Sequence, residues 1–181
     1  MLLIALTATA SLAQPREERN HELSLSGSYQ NYSSESSSGS SGAFLISPRL
    51  GFYVVQGLEI EPEFLVMLSS GSDPVYVLNG NISYNFLSAG KTVPFILAGY
   101  GLANTVPFFG VPLLRTDFTV GVLNLGAGIK AFVKEDIAVR VEYRFQVFSG
   151  EGETTISSSF SYTHKVDITV HTVQFGISIL L

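Results

Sequence analysis

Three glutamates at alternate positions, Glu59, Glu61 and Glu63, form an acidic row in the segment L-E-I-E-P-E-F-L-V-M-L. Arg49 precedes them, and Lys130, Arg140, Glu142 and Arg144 follow in two later segments. Paired carboxylates do the work of glycoside hydrolysis, but there they flank a scissile bond across a cleft. Residues i, i+2 and i+4 of a strand share one face. The row therefore lines a single wall flanked by arginines, with no cleft evident. Its chemistry is that of a salt-bridge network or, in a second reading, a polar path for ions or protons. The three histidines, His21, His164 and His171, have no metal-ligand spacing and no H-E-x-x-H pattern. With no cysteine, thiolate metal sites and disulfides are excluded. Gly99, Gly101, Gly126 and Gly128 lie inside apolar, alternating segments and open no helix. They serve close packing or make room for a large side chain, and no phosphate-binding loop is expected. No cofactor is expected.

The elements that position these residues are strands. In the last ten residues, T-V-Q-F-G-I-S-I-L-L, Val173, Phe175, Ile177, Ile179 and Leu181 hold one parity. Thr172, Gln174, Gly176 and Ser178 hold the other, a period of two. An apolar final strand is an aggregating edge in an open sheet but not in a barrel, where it pairs with the first. The same alternation recurs near His21–Gln30, Ala43–Val55, Leu58–Leu68, Val75–Leu87, Asp117–Val133 and Ile137–Phe148. Pro48 forgoes one ladder hydrogen bond and predicts a bulge or irregularity there. Thr92–Asn104 is apolar on both parities, so its faces cannot be assigned. The final strand starts as early as Phe160, but its apolar parity changes between Val170 and Val173, which calls for a bulge or for a portion projecting beyond the membrane.

Eight strands result. The connections after the first, third, fifth and seventh are long: a serine-rich run near 31–42, S-S-G-S-D-P, the apolar loop 105–116 with Pro107 and Pro112, and a polar stretch near 149–159. Those after the second, fourth and sixth are short turns. Alternating long outside loops and short periplasmic turns, with both termini in the periplasm, belong to outer-membrane barrels.

Composition agrees. The chain has 181 residues, a net charge of −5 and only 14% charged residues, with mean hydropathy +0.33. That length is one domain, or one domain plus a leader. There is no basic footprint for nucleic acid. After the N-terminus no window reaches the roughly eighteen uninterrupted apolar residues of a spanning helix. Apolarity spread over alternating segments suits a closed barrel, since a bilayer admits only helices and barrels. The start, M-L-L-I-A-L-T-A-T-A-S-L-A-Q, lacks a basic n-region but otherwise has the form of a signal peptide, residues 1–13, cleaved after Ala13. Residues 14–20 form a charged periplasmic lead-in, and the barrel spans 21–181.

Three features turn the apolar face outward and disfavour a soluble lipid-binding barrel. The polar faces are poor in lysine and rich in Asn, Ser, Gly and Glu, unlike a water-facing surface. Arg49, Lys130, Arg140 and Arg144 balance Glu59, Glu61, Glu63 and Glu142, four against four, as a closed lumen requires. Phe52, Tyr76, Tyr84, Phe86 and Tyr143 recur on the apolar faces near strand ends, as interfacial girdles do.

The segment I-S-P-R-L-G-F-Y-V-V-Q-G-L-E-I (Ile46–Ile60) resembles the strand–turn–strand of the small eight-stranded outer-membrane barrels, the OmpA/OmpX-like kind, with Pro48, Arg49, Gly51 and Leu58 at the matching places. The end Q-F-G-I-S-I-L-L is similar to the signal read by the barrel assembly machinery, through Gln174, Gly176, Ile179 and Leu181, with Leu181 replacing the usual terminal aromatic. The resemblance covers nearly the whole mature chain. It implies an all-β fold, an eight-stranded antiparallel up-and-down transmembrane β-barrel. It also implies a monomer seated in outer-membrane lipids, assembled by that machinery, with outside loops available to surface or host ligands. The role expected is structural or interactive, without catalysis. A narrow pore is the alternative. A lipid A-modifying barrel enzyme is a weaker one, because no matching His/Ser motif is present.

Overall fold

The computed structural model describes residues 20–33, 40–69, 73–87, 90–105, 120–157 and 160–181. The expected leader, nearly all of the lead-in and most of the loop 105–116 lie outside the described residues. Eight strands follow in order: β1 His21–Ser33, β2 Ser40–Val55, β3 Leu58–Ser69, β4 Val75–Asn85, β5 Thr92–Ala103, β6 Val120–Phe132, β7 Ile137–Ser157 and β8 Phe160–Leu180. Each pairs antiparallel with its sequence neighbours, and β1 pairs with β8 to close the barrel. The β2–β3 turn places Gly57 at φ 80°, a conformation that excludes most side chains.

The register fixes the barrel's shape. Stepping across partners from Ser24 through Arg49, Glu63, Asn79, Gly101, Val122 and Phe148 arrives at Ile168 on β8. Ser24 itself pairs with Ser178, ten residues further along. A stagger of ten over eight strands tilts them by roughly 40° and leaves an interior only wide enough for side chains.

One expectation needs correction, and two that offered alternatives lose the bulge. The polar stretch at 149–159 is not a loop for most of its length, since β7 runs on to Ser157 and pairs with β8 out to Ser157↔Phe160, with an irregularity after Thr155↔Ser161. Its serines, threonines and glutamates have the composition of a loop while the backbone ladder stays intact. Between Val170 and Val173 there is no bulge: the register runs unbroken from Ile137↔Ile179 to Thr155↔Ser161. The parity changes because Val170 points into the barrel while Val173 faces out. At Pro48 the expected irregularity is a lapse in pairing and not a bulge. Among the described residues, β2–β3 pairing lapses between Ile46 and Arg49 and again between Arg49 and Phe52, beside Pro48 and Pro62, while the register is kept.

Every strand presents one parity inward. β5, unreadable from sequence, turns Val93, Phe95 and Leu97 inward and Ile96, Tyr100 and Leu102 outward. Inside, the barrel is layered. One end is filled by Val93, Phe132, Ala138 and Leu180, with Tyr53 packed against them. The other is filled by residues including Leu45, Leu65, Met67, Val77, Val122 and Phe148. Charged and amide side chains lie between. Outside, apolar residues are exposed along every strand, for example Leu25, Leu50, Ile82, Ile96, Leu123 and Ile177. Water penalises such a surface, and hydrocarbon accommodates it.

Candidate functional site

The inward parity of β3 carries Glu59, Glu61 and Glu63 up the wall before giving way to Leu65 and Met67. β7 brings Arg140, Glu142 and Arg144 inward, β2 brings Arg49, and β6 brings Lys130. All eight side chains are at most 3% exposed. Arg49 Nε donates to Glu63 Oε1 at 2.8 Å, and its Nη1 donates across the lumen to Glu142 Oε2 at 2.7 Å. Arg144 Nη1 meets Glu63 Oε2 at 2.5 Å, and its Nε donates to Glu142 Oε1 at 2.7 Å. Arg140 Nη2 reaches Glu61 Oε2 at 3.0 Å and Glu142 Oε2 at 2.9 Å. The guanidinium of Arg140 also lies over the Phe95 ring, 4.4 Å from its centroid. Polar neighbours complete the coordination. Asn79 and Asn81 donate to Glu63 Oε2, Ser47 bonds Glu63 Oε1, and Gln174 Oε1 accepts from Arg49 Nη2 at 2.7 Å.

A ninth charge was absent from the expected set. Glu22 on β1 is 1% exposed, and its Oε2 accepts from Lys130 Nζ at 2.7 Å and from the Tyr53 hydroxyl at 2.6 Å. Lys130 Nζ also donates to Glu59 Oε2 at 2.9 Å, so one ammonium serves two carboxylates. Five acids therefore face four bases, not four against four. The charges are also segregated along the chain. β1 and β3 hold four of the glutamates, while β6 and β7 hold three of the four cations. Lys130–Glu22, Lys130–Glu59, Arg140–Glu61, Arg144–Glu63 and Arg49–Glu142 thus tie the first three strands to β6 and β7. Strand parity alone marked Glu22, but the serines around it hid its part. Tyr53 shared a face with Arg49 in the sequence without suggesting a partner.

The inward glycines make room for these side chains. A Cβ at Gly51 would fall on the Glu59 carboxylate, one at Gly101 on Asn79 Oδ1, and one at Gly99 on Asn81 Oδ1. Among the described residues no group of histidines and carboxylates is placed to hold a metal. His21 packs edge-on against Phe52, and His171 Nδ1 lies 2.6 Å from the Tyr143 hydroxyl on the exposed outer face. His164 belongs to the projecting part of β8, where its backbone pairs with Gly152. The aromatics Phe52, Tyr76, Tyr84, Phe86 and Tyr143 all face outward. At the chain's end, Gln174 points into the lumen, while Leu181 is exposed outside, 63% accessible. Ile179, on the outward parity, is half-buried.

A closed antiparallel barrel of eight strands, apolar outside and ion-paired inside, is the architecture of a small outer-membrane barrel. The chain belongs to the outer membrane protein beta-barrel domain family, whose model matches residues 1–179. In structure it is similar to Neisserial surface protein A, with a TM-score of 0.62 at 13% identity, over 89% of this chain and 96% of that one. It is also similar to the N-terminal β-barrel domain of Pseudomonas aeruginosa OprF, with a TM-score of 0.61 at 12% identity, over 90% and 98%. A de novo designed transmembrane β-barrel matches with a TM-score of 0.53 at 14% identity, over 90% and 95%. No curated protein matches the chain in sequence. Family and fold point to the bacterial outer membrane.

Proposed function

We propose that this protein is a non-conducting outer-membrane barrel whose role is structural or interactive and is exercised through its extracellular loops. One observation carries the reading: buried charges fill the middle of the lumen, and apolar layers occupy both ends. A conducting pore needs a continuous polar path, and an interior packed with side chains offers none. In this reading the charged set stiffens the barrel. Arg49, Glu59, Glu61, Glu63, Lys130, Arg140, Glu142 and Arg144 act with Glu22, and no catalysis is assigned to them. Residues 1–13 are removed after Ala13, residues 14–20 lie in the periplasm, and the monomer sits in outer-membrane lipid. Gln174, Gly176, Ile179 and Leu181 are read by the barrel assembly machinery. The connections after β1, β3, β5 and β7 then face outward and meet a surface or host ligand.

Because the chain has no cysteine, single-cysteine labelling on intact cells tests this orientation. Asp73→Cys, between β3 and β4, is expected to react with a membrane-impermeant maleimide. Lys134→Cys, between β6 and β7, is expected to react only after permeabilisation. The reverse pattern, or labelling of neither in a folded barrel, contradicts the surface role.

A further inference from the structure

The excess negative charge of the lumen lies in one place. Glu61, Glu63 and Glu142 meet Arg49, Arg140 and Arg144, three against three. The other two acids, Glu22 and Glu59, share Lys130 beside the apolar layer of Val93, Phe132, Ala138 and Leu180. Lys130 Nζ donates to Oε2 of each, at 2.7 and 2.9 Å. The further donors are neutral: the Tyr53 hydroxyl to Glu22 Oε2 at 2.6 Å, and Ser83 Oγ and Asn85 Nδ2 to Glu59 Oε2 at 3.2 and 3.0 Å. Among the described residues, the other cation paired here is Arg140. Its Nη1 stands 3.8 Å from Glu22 Oε1, beyond hydrogen-bond reach, while its Nη2 is held by Glu61 and Glu142.

We propose that Glu22 and Glu59 together bind one proton. Two carboxylates and one ammonium carry a net charge of minus one, and the proton makes the triad neutral. Glu22, Glu59 and Lys130 are each 1% exposed. The rings of Phe95 and Tyr53 stand over Lys130 Nζ, with centroids at 5.6 and 5.7 Å. An unbalanced charge in such surroundings is far costlier than a neutral carboxylic acid, so a buried group neutralises. Carboxylates this strongly coupled take up the proton as a pair. It comes from water as the barrel folds around them, and only an O–H bond forms.

The geometry selects a proton over a metal cation. Lys130 already occupies the position between the two carboxylates. The wall beside them is Gly51, where a Cβ would fall on the Glu59 carboxylate and lie 3.1 Å from Glu22 Cβ. A hard cation needs about six oxygen ligands around it, and a proton needs no such shell. Tyr53 from β2, Glu61 from β3 and Arg140 from β7 are the other titratable groups facing the pair among the described residues. β4, β5 and β8 add Ser83, Asn85, Phe95 and Leu180, which carry no charge.

Infrared spectroscopy of the refolded barrel in detergent at neutral pH tests the site, because a protonated carboxyl group absorbs apart from carboxylates. The wild-type barrel is expected to show one protonated carboxyl per chain, absent from the chain unfolded in denaturant at the same pH. Glu22→Gln and Glu59→Gln each leave one carboxylate for one ammonium, and each is expected to lose the band. Asp73→Asn, at an exposed acid between β3 and β4, is expected to keep it. A folded wild-type barrel without the band, in the presence or absence of sodium, overturns the proposal. So does a band that survives both glutamate substitutions.

Discussion

Arg49 on β2 and Glu142 on β7 are 93 residues apart in sequence, and their side chains meet at 2.7 Å in the middle of the barrel. The contact spans the lumen. Its partners are themselves tied, Arg49 to Glu63 and Gln174, Glu142 to Arg140 and Arg144. Closing the β1–β8 seam completes the ring of strands, and these cross-lumen pairs fasten its first strands to its last. Stranding a buried charge with no other counterion costs about 3–5 kcal/mol, and Arg49 and Glu142 each keep further partners, so their loss costs less than that full penalty.

Arg140→Ala strands Glu61, which meets no other ion-pair partner among the described residues, and weakens Glu142. It also removes the guanidinium from the Phe95 face. The substitution is expected to lower the unfolding temperature in detergent by a cost on the order of 3 kcal/mol. Heat-modifiable gel mobility reads the change. An unchanged transition would place Arg140 outside the network.

Among the described residues, Lys130 is the one cation ion-paired to both Glu22 and Glu59. Lys130→Gln is expected to destabilise strongly, because two carboxylates then face each other without their shared cation. Adding Glu59→Gln is expected to recover a substantial part of that loss, since the second change removes the charge the first one stranded. Strictly additive effects in the double variant would show that the three groups are independent.

Two glycines provide a paired test of lumen packing. At Gly128 an added Cβ meets the Val141 carbonyl oxygen and comes within 2.7 Å of the Phe95 ring. Gly128→Ala is expected to cost about 1–3 kcal/mol through overpacking. At Gly80, on the exposed face, the nearest atom to an added Cβ is 3.9 Å away, so Gly80→Ala is expected to be tolerated. Comparable yields of folded barrel for both variants would argue that the Gly128 site yields easily.

Much of this was legible in the sequence, for a physical reason. In mid-barrel the two faces of a strand meet opposite solvents, lipid and a polar lumen, so Glu59, Glu61 and Glu63 stand out against Ile60, Pro62 and Phe64. The same rule fails where both sides are apolar. β5 turns Val93, Phe95 and Leu97 into the lumen and Ile96 and Leu102 to the lipid, so its two parities look alike. It fails again from Ser149 onward, where no apolar parity marks the strand and the extension of β7 to Ser157 reads as a loop. Val170 marks the crossing between regimes, an apolar residue on the polar parity because it packs in the upper apolar layer. Glu22 was visible by parity, but only the closure of β1 onto β8, beside β7, brings it to Arg140 and within reach of Lys130.

A sealed lumen passes no ions, and current recorded through planar lipid bilayers tests that property. The purified, refolded protein is expected to give no discrete conductance steps under applied voltage, and to remain silent when Met67→Ser and Val122→Ser loosen the upper apolar layer, because the charged layer below still fills the barrel. Reproducible unitary steps from the wild-type barrel would contradict the account and make the charged layer the lining of a pore.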